Sequence, residues 1–183
     1  RWFIFTLVRS TFAAFEQLGS RQMPTSAQSR YSMPNLIKRG YIARSCDGWQ
    51  KAYVEEAMQK CMHFADKGYY AIKNNKELRQ TFFKTNSAKH IKTIQKVYWD
   101  IEQACDPSKS QSYAFTCGGD KCYKGHMAYI FASQHTVYLC PPFFQEDADE
   151  RGHTLIHELS HINTIRGTED YNAYGYHQSI EYV

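Results

Sequence analysis

Six cysteines constrain the fold of this 183-residue chain more than any other feature of its sequence. All six follow the Lys38-Arg39 pair, and they are Cys46, Cys61, Cys105, Cys117, Cys122 and Cys140. An even number of cysteines confined to one part of a chain is typical of a disulfide-bonded domain from an oxidising compartment. We therefore expect three disulfides, no free thiol and a secreted, extracellular protein.

The alternative use of these cysteines is a zinc knuckle built on Cys117 and Cys122. That site needs two further ligands nearby, and the spacing to Cys140 fits no usual zinc finger. The sequence therefore favours disulfides over a cysteine-bound metal.

The composition indicates one globular domain with an appendage. Hydrophobic residues make up 43% of the chain and aromatic residues 15%, which is too rich for a disordered or low-complexity protein. No apolar run approaches the roughly 18–20 residues that span a bilayer. We expect a monomer with no membrane span.

The positive charge is concentrated outside the expected domain. Residues 1–39 contain six basic residues and one acid, whereas the remaining residues contain 16 basic residues and 17 acids. Proteins that bind nucleic acid carry their Lys and Arg on the folded domain. Nucleic acid is therefore not an expected partner.

Residues 1–39 have the pattern of a signal-like segment followed by a propeptide or linker. The first residues combine a basic end, a short apolar stretch and the small residues Ala13 and Ala14. This pattern resembles a secretory signal. The alternative interpretation is an ordinary amphipathic helix. Residues 20–35 are rich in Ser, Gln, Arg and Pro and predict an unstructured linker. The linker ends at Lys38-Arg39, a candidate processing site, so we expect the domain to comprise residues 40–183.

Two long helices are predicted in the first half of this domain. An apolar stripe with a spacing of four follows a candidate cap at Asp47 and contains Trp49, Tyr53, Ala57, Cys61 and Ala65. A second helix covers residues 87–105 after a cap at Ser87, and residues 77–84 form a short helix between the two. Cys61 and Cys105 lie on the apolar faces of the long helices, so we expect them to join an antiparallel helical pair.

The period of the sequence then changes from helix to strand. The segments 112–117, 126–132 and 136–140 are short runs of aromatic and β-branched residues separated by Gly and polar residues. Such runs predict a small antiparallel sheet. Helical sequence returns at about Glu150, so the expected fold class is α+β.

The segment HTLIHELSHI, residues 153–162, contains a candidate metal site. On a helix, His157 and His161 at positions i and i+4 project from one face and can bind the same metal. Glu158 is offset from His157 by about 100° around the helix, which turns it away from ligation and towards a metal-activated water. The pattern predicts one catalytic Zn²⁺ with Glu158 as the base.

A tetrahedral catalytic zinc requires a third protein ligand. Gly167 allows the chain to turn back after the helix, and Asp170, nine residues after His161, is placed to complete the site, with its neighbour Glu169 as the other carboxylate. The remaining histidines are expected on the surface or behind the ligands. We expect His157, His161 and Asp170 to hold the metal.

At these residues the sequence resembles the aspzincins, the fungal deuterolysins and peptidyl-Lys metalloendopeptidases. The resemblance lies in HELSH, GTEDY and YG, extends to SYAFTC, AYIF and TVYLCPPFF, and covers the chain from about Gly40 onward. It implies a zincin-like fold, an aspartate as the third zinc ligand and a secreted zymogen. It also implies the disulfide pairs Cys46–Cys117 and Cys122–Cys140, beside the Cys61–Cys105 bridge expected from the helices.

Two departures from the family pattern concern the end of the chain. Three residues, instead of two, separate Asp170 from the Tyr174-Gly175 pair. We favour Tyr174 over Tyr171 as the tyrosine that stabilises the oxyanion. The family continues beyond the position of Val183, so we expect a C-terminally truncated domain. It would be a fragment, a degenerate copy or an incorrect gene model. We expect such a domain to bind zinc but to cleave proteins slowly.

The sequence thus predicts a zinc endopeptidase whose partners are protein or peptide substrates. The alternative is a secreted, effector-like interaction protein that keeps the zinc fold with little or no turnover. Four acids, Glu146, Asp147, Asp149 and Glu150, could attract basic substrates, but acids before a helix are more typical of a solvated N-terminal turn.

Overall fold

Four α-helices, two short 3₁₀ turns and a four-stranded sheet make up the part of the chain that the computed structural model describes, residues 41–108 and 113–170. Residues 1–39 and the tyrosines Tyr171 and Tyr174 lie outside the described residues. The elements are β1 (Tyr41–Ile42), α1 (Gly48–Asn74), α2 (Lys76–Phe83), α3 (Ala88–Cys105), β2 (Ala114–Cys117), β3 (Ala128–Ile130), β4 (Thr136–Leu139) and α4 (Ala148–His161). No helix in these ranges is both long and apolar enough to cross a membrane.

Helix α1 begins with the cap that the sequence predicts. The Asp47 carboxylate accepts a hydrogen bond from the Gln50 backbone N–H at 3.0 Å, and the Gln50 side chain accepts one from the Asp47 N–H at 3.0 Å. This reciprocal pair satisfies two N–H groups at the end of the helix. The apolar face of α1 is buried through Val54, Ala57, Met58, Cys61, Phe64, Ala65 and Ile72.

The first two members of the predicted α1 stripe are exposed, which corrects that part of the pattern. Trp49 is 54% exposed and Tyr53 is 39% exposed. They lie in the first turns of α1, where Trp49 contacts Phe144 edge to face and Tyr53 lies under the Arg151 guanidinium. Their spacing matches the buried stripe, but aromatic rings also cover partly solvated edges of a core.

Helices α1 and α3 pack as an antiparallel pair joined by the Cys61–Cys105 disulfide. Gly68 comes after Cys61 in α1, but it faces the ring of Tyr98, which comes before Cys105 in α3. The two helices therefore run in opposite directions. Ser87 precedes α3 as expected, but its side chain forms no capping hydrogen bond. The N–H of Ser87 itself donates to the Thr85 hydroxyl at 3.2 Å.

The sheet is mixed, so the predicted antiparallel sheet was wrong in strand direction. The strand order is β1-β2-β4-β3, with parallel β1–β2 and β2–β4 pairs and an antiparallel β3–β4 pair. A short turn joins β3 to β4, so these two strands pair antiparallel. The connection from β2 to β4 is longer, because it contains β3 and its flanking segments, and this length allows β2 and β4 to pair parallel. Strand β1 was not predicted because it has only two residues.

Two further disulfides fix the ends of the strands. Cys46–Cys117 joins the chain after β1 to the end of β2, and Cys122–Cys140 joins a short 3₁₀ turn to the residue after β4. All six cysteines are therefore paired. These bridges secure a sheet whose strands are only two to four residues long.

Helix α4 packs so closely against α1 at Gly152 that a side chain would not fit there. A Cβ atom added to Gly152 would lie 2.6 Å from the Lys60 Cβ and 3.2 Å from the Cys61 backbone nitrogen. Glycine at this position allows the two backbones to approach closely. The closeness of α4 to α1 therefore depends on residue 152.

We predict that Gly152→Ala lowers the free energy of unfolding by about 1–3 kcal/mol, because the overpacked backbones must separate. Denaturant unfolding measures this change. Gly48→Ala is the matched control, since nothing lies within 4 Å of a Cβ built there. Equal unfolding free energies for the Gly152 variant and the parent chain would contradict the close packing.

Candidate metal centre

Helix α4 begins with an acidic turn that stabilises the helix. The Asp147 carboxylate accepts the Glu150 N–H at 2.9 Å, and Asp149 forms an ion pair with Lys60 of α1 at 2.6 Å. The Lys60 hydrogen bond lowers the pKa of Asp149. Negative charge at this end is favourable because the unpaired N–H groups there carry partial positive charge. The interpretation of these acids as a helix N-terminal turn is confirmed.

A buried arginine secures the same end of α4 to α1, and sequence reasoning missed it. Arg151 is 4% exposed, pairs with Glu56 and lies 4.3 Å from the centre of the Tyr53 ring. It also donates to the Glu146 carbonyl. The only signal in the sequence was a charged residue within an amphipathic helix, which is ordinarily solvated. The ion pair helps fix the position of the helix that carries the histidines.

The two histidines of α4 face the same point, as their spacing predicts. The Nε2 atoms of His157 and His161 are 3.3 Å apart, and the rings are nearly perpendicular. Both side chains are partly exposed, whereas Leu155, Ile156 and Leu159 of the same helix are fully buried. The apolar face of α4 therefore holds the helix in the core, while the imidazoles remain partly accessible to solvent.

The chain turns back immediately after His161. The Ile162 carbonyl accepts the N–H groups of Ile165, Arg166 and Gly167 at 2.9, 3.0 and 3.1 Å. Gly167 has φ +63°, in the left-handed region that favours glycine. The Asn163 N–H also donates to the Ala132 carbonyl at 2.9 Å, which attaches this turn to the loop between β3 and β4.

The turn brings Asp170 to the two histidines. Its Oδ1 atom lies 3.6 Å from His157 Nε2 and 3.4 Å from His161 Nε2. One potential ligand atom from each of the three residues lies within 4.8 Å of the other two. The described residues contain no other such group of three His, Cys, Asp or Glu side chains. Glu169, the alternative carboxylate, is not part of the group.

The electrostatics of this cluster suit a cation. Hydrogen bonds from His157 and His161 hold the pKa of Asp170 far below its ordinary value. Burial lowers the pKa of His161, but hydrogen bonds to Asp170 and to the Thr168 carbonyl outweigh it, so the pKa is raised overall. The carboxylate thus remains charged and favours positive charge on its neighbours.

Glu158 lies beside the cluster without joining it. Its Oε1 atom is 4.0 Å from His157 Nε2, and the residue is only 7% exposed. Burial raises the pKa of Glu158, although the neighbouring histidines lower it in part. A buried carboxylate with a raised pKa next to a metal-binding group has the properties of a proton acceptor.

Comparison with known proteins shows the family to which this chain belongs. The family model described as lysine-specific metallo-endopeptidase, the M35 aspzincins, matches residues 69–182. This chain belongs to the aspzincin family. The matched range includes both histidines, Glu158 and Asp170, and the resemblance noted in the sequence is confirmed.

Individual relatives carry names consistent with the family. A neutral protease 2 homolog from Pyricularia oryzae is 29% identical over 149 residues, which cover 77% of this chain and 43% of that protein. A peptidyl-Lys metalloendopeptidase from Armillaria mellea is 45% identical over 73 residues, which cover 38% of this chain and 19% of that protein. The chain spans less than half of the length of these curated relatives.

A solved structure shows the same fold. The zinc peptidase from Grifola frondosa matches with a TM-score of 0.61 and 24% identity, covering 74% of this chain and 83% of that one. At this identity the match supports the architecture alone. The predicted α+β, zincin-like fold class is confirmed.

We predict that Asp170→Asn weakens zinc binding strongly, because it removes the charged oxygen nearest both Nε2 atoms. Competition with a chromophoric chelator measures the zinc dissociation constant. Glu169→Gln is the control, since it neutralises the adjacent carboxylate, which lies outside the cluster. Loss of zinc from both variants to the same degree would contradict the assignment of Asp170.

Proposed function

We propose that this chain is a zinc-dependent endopeptidase that hydrolyses peptide bonds in proteins. The observation that carries this proposal is the convergence of His157, His161 and Asp170 beside the buried Glu158, in a chain of the aspzincin family. The family supports a zinc metallopeptidase in general. The roles of individual residues in this chain are our inference.

The three side chains fit a single zinc ion. Two imidazole nitrogens and one carboxylate oxygen are a donor set typical of catalytic zinc, which keeps a fourth position open. The Nε2 atoms of the two histidines and Asp170 Oδ1 lie 3.3, 3.4 and 3.6 Å from one another, which is close enough for all three to contact one zinc ion. Zinc bound there would polarise a carbonyl oxygen and acidify water.

In this proposal Glu158 moves the proton. It accepts a proton from the attacking water and delivers it to the departing amine nitrogen. Its buried position supports this role, because burial raises the pKa of the carboxyl and makes it a better base than an exposed glutamate. Tyr174 is proposed to donate a hydrogen bond to the developing oxyanion, with Tyr171 as the alternative.

We also propose the wider organisation expected from the sequence. Residues 1–39 are a signal-like and propeptide segment, and residues 40–183 are the peptidase domain. Three disulfides within the described residues support secretion to an extracellular, oxidising environment. The domain acts as a monomer on protein substrates, and lysine-containing peptides are the first to test because the family description names lysine.

We predict that Glu158→Gln retains zinc but lowers the hydrolysis rate by about 10²–10⁴-fold, because it removes the base and leaves the ligands intact. Zinc content and cleavage of a lysine-rich protein measure the two effects. Glu150→Gln, on the first turn of the same helix, is the control and retains activity.

Two outcomes of this experiment would reject the peptidase proposal. Undiminished hydrolysis by the Glu158 variant would remove Glu158 from the mechanism. Zinc binding by the parent chain with no cleavage of any protein substrate would instead favour the secreted interaction protein.

A further inference from the structure

Ser160 precedes His161 in α4, and its hydroxyl is buried near the proposed metal ligands. Ser160 is fully buried, at 0% exposure. Its Oγ atom is 2.7 Å from Thr168 Oγ1 and 3.3 Å from the His157 carbonyl oxygen. Burying a hydroxyl away from water costs free energy unless partners such as these form hydrogen bonds with it.

Thr168 connects this hydroxyl to the second histidine. The Thr168 carbonyl oxygen is 2.7 Å from His161 Nδ1, and Thr168 Oγ1 is 3.2 Å from the same nitrogen. The Thr168 N–H donates to the Ser160 carbonyl at 3.2 Å. Ser160 therefore holds Thr168 through both its main chain and its side chain.

The chemistry of these groups assigns one direction to the hydrogen bonds. A carbonyl oxygen can only accept, so His161 Nδ1 carries the proton and donates it to Thr168, with Oγ1 as a second acceptor. The Thr168 hydroxyl is then free to donate to Ser160 Oγ, and Ser160 donates to the His157 carbonyl. Each hydroxyl donates once and accepts once.

We propose that Ser160 is a positioning residue for the metal centre, acting through Thr168 on His161. The chain of hydrogen bonds keeps a proton of His161 on Nδ1. A metal that displaces the other proton can then bind Nε2, the nitrogen that lies near His157 and Asp170. It also attaches the turn that precedes Asp170 to the end of α4. This inference rests on the proposed zinc site and adds a residue that supports its ligands.

Removal of the Ser160 hydroxyl would leave Thr168 Oγ1 without its acceptor in a half-buried site. The Thr168 hydroxyl could then turn its proton towards His161 Nδ1, which accepts a hydrogen bond only when the His161 proton is on Nε2, the nitrogen that would bind the metal. Groups that hydrogen-bond the far nitrogen of a metal-binding histidine fix its tautomer and ring orientation. The effect of Ser160 should therefore appear in metal affinity and ligand geometry.

The test compares zinc affinity in the full chain with and without this hydroxyl. We expect Ser160→Ala to weaken zinc binding by about 10–100-fold, measured by competition with a chromophoric chelator. Thr154→Val is the matched control, because the Thr154 hydroxyl lies on the same helix and donates to the Glu150 carbonyl at 2.9 Å. Thermal unfolding of each zinc-free variant separates lost stability from lost affinity.

A second pair of variants keeps the test valid if Ser160→Ala folds poorly. Thr168→Val removes Oγ1 but keeps the carbonyl contact with His161, whereas Thr168→Ser retains the hydroxyl and should restore affinity. In the double variant S160A/T168V, we expect zinc affinity to fall no further than it falls in whichever single variant binds zinc more weakly. The reason is that the two hydroxyls act in one chain of hydrogen bonds. The visible absorption of the Co²⁺-loaded protein should change in Ser160→Ala and not in Thr154→Val.

The outcomes distinguish this inference from the proposed function. If the parent chain binds zinc and Ser160→Ala binds it equally well, or if Thr154→Val loses as much affinity, the positioning role is wrong while the zinc site stands. If the parent chain binds no zinc, both proposals fail. Additive losses in the double variant would also overturn the single chain of hydrogen bonds.

Discussion

The close packing of α4 against α1 is the contact on which the rest of the site depends. Gly152 allows the two backbones to approach, and Arg151 is buried against Glu56 and Tyr53 at the same end. The buried face of α4, through Leu155 and Leu159, fixes the rotation of the helix about its axis. With that rotation fixed, His157 and His161 project together on the side where Asp170 lies, because side chains four residues apart share one face.

The return of the chain after His161 gives the cluster its third member and its charge. A helix presents two ligands from one face, but a third must come from a segment that folds back over its end. The turn at Gly167 provides this segment, and the hydrogen bonds between Ser160, Thr168 and His161 hold it in place. Asp170 then lies beside two imidazoles, so the arrangement of the backbone determines the electrostatics of the site.

Features that arise from neighbouring residues could be predicted from the sequence. Each of these features depends on residues that are close together in the sequence. They are the Asp47 cap, the two long helices, the spacing of His157 and His161, and the helical faces of Cys61 and Cys105. The direction of β4 relative to β2 could not be predicted, since alternating apolar residues indicate a strand but not its partner. The exposure of Trp49 was missed for a similar reason, because its spacing alone cannot show where the core ends.

The sequence by itself determined which residues are chemically able to bind a metal, since the types and spacings of His157, Glu158 and His161 are properties of one helix. Only the tertiary structure decided how Asp170, Thr168 and Ser160 meet around them, and how Arg151 and Gly152 hold the helix on α1. The physical reason is the range of the interactions. Helix periodicity acts over a few residues, whereas close packing and buried hydrogen bonds join segments that meet only once the chain has folded.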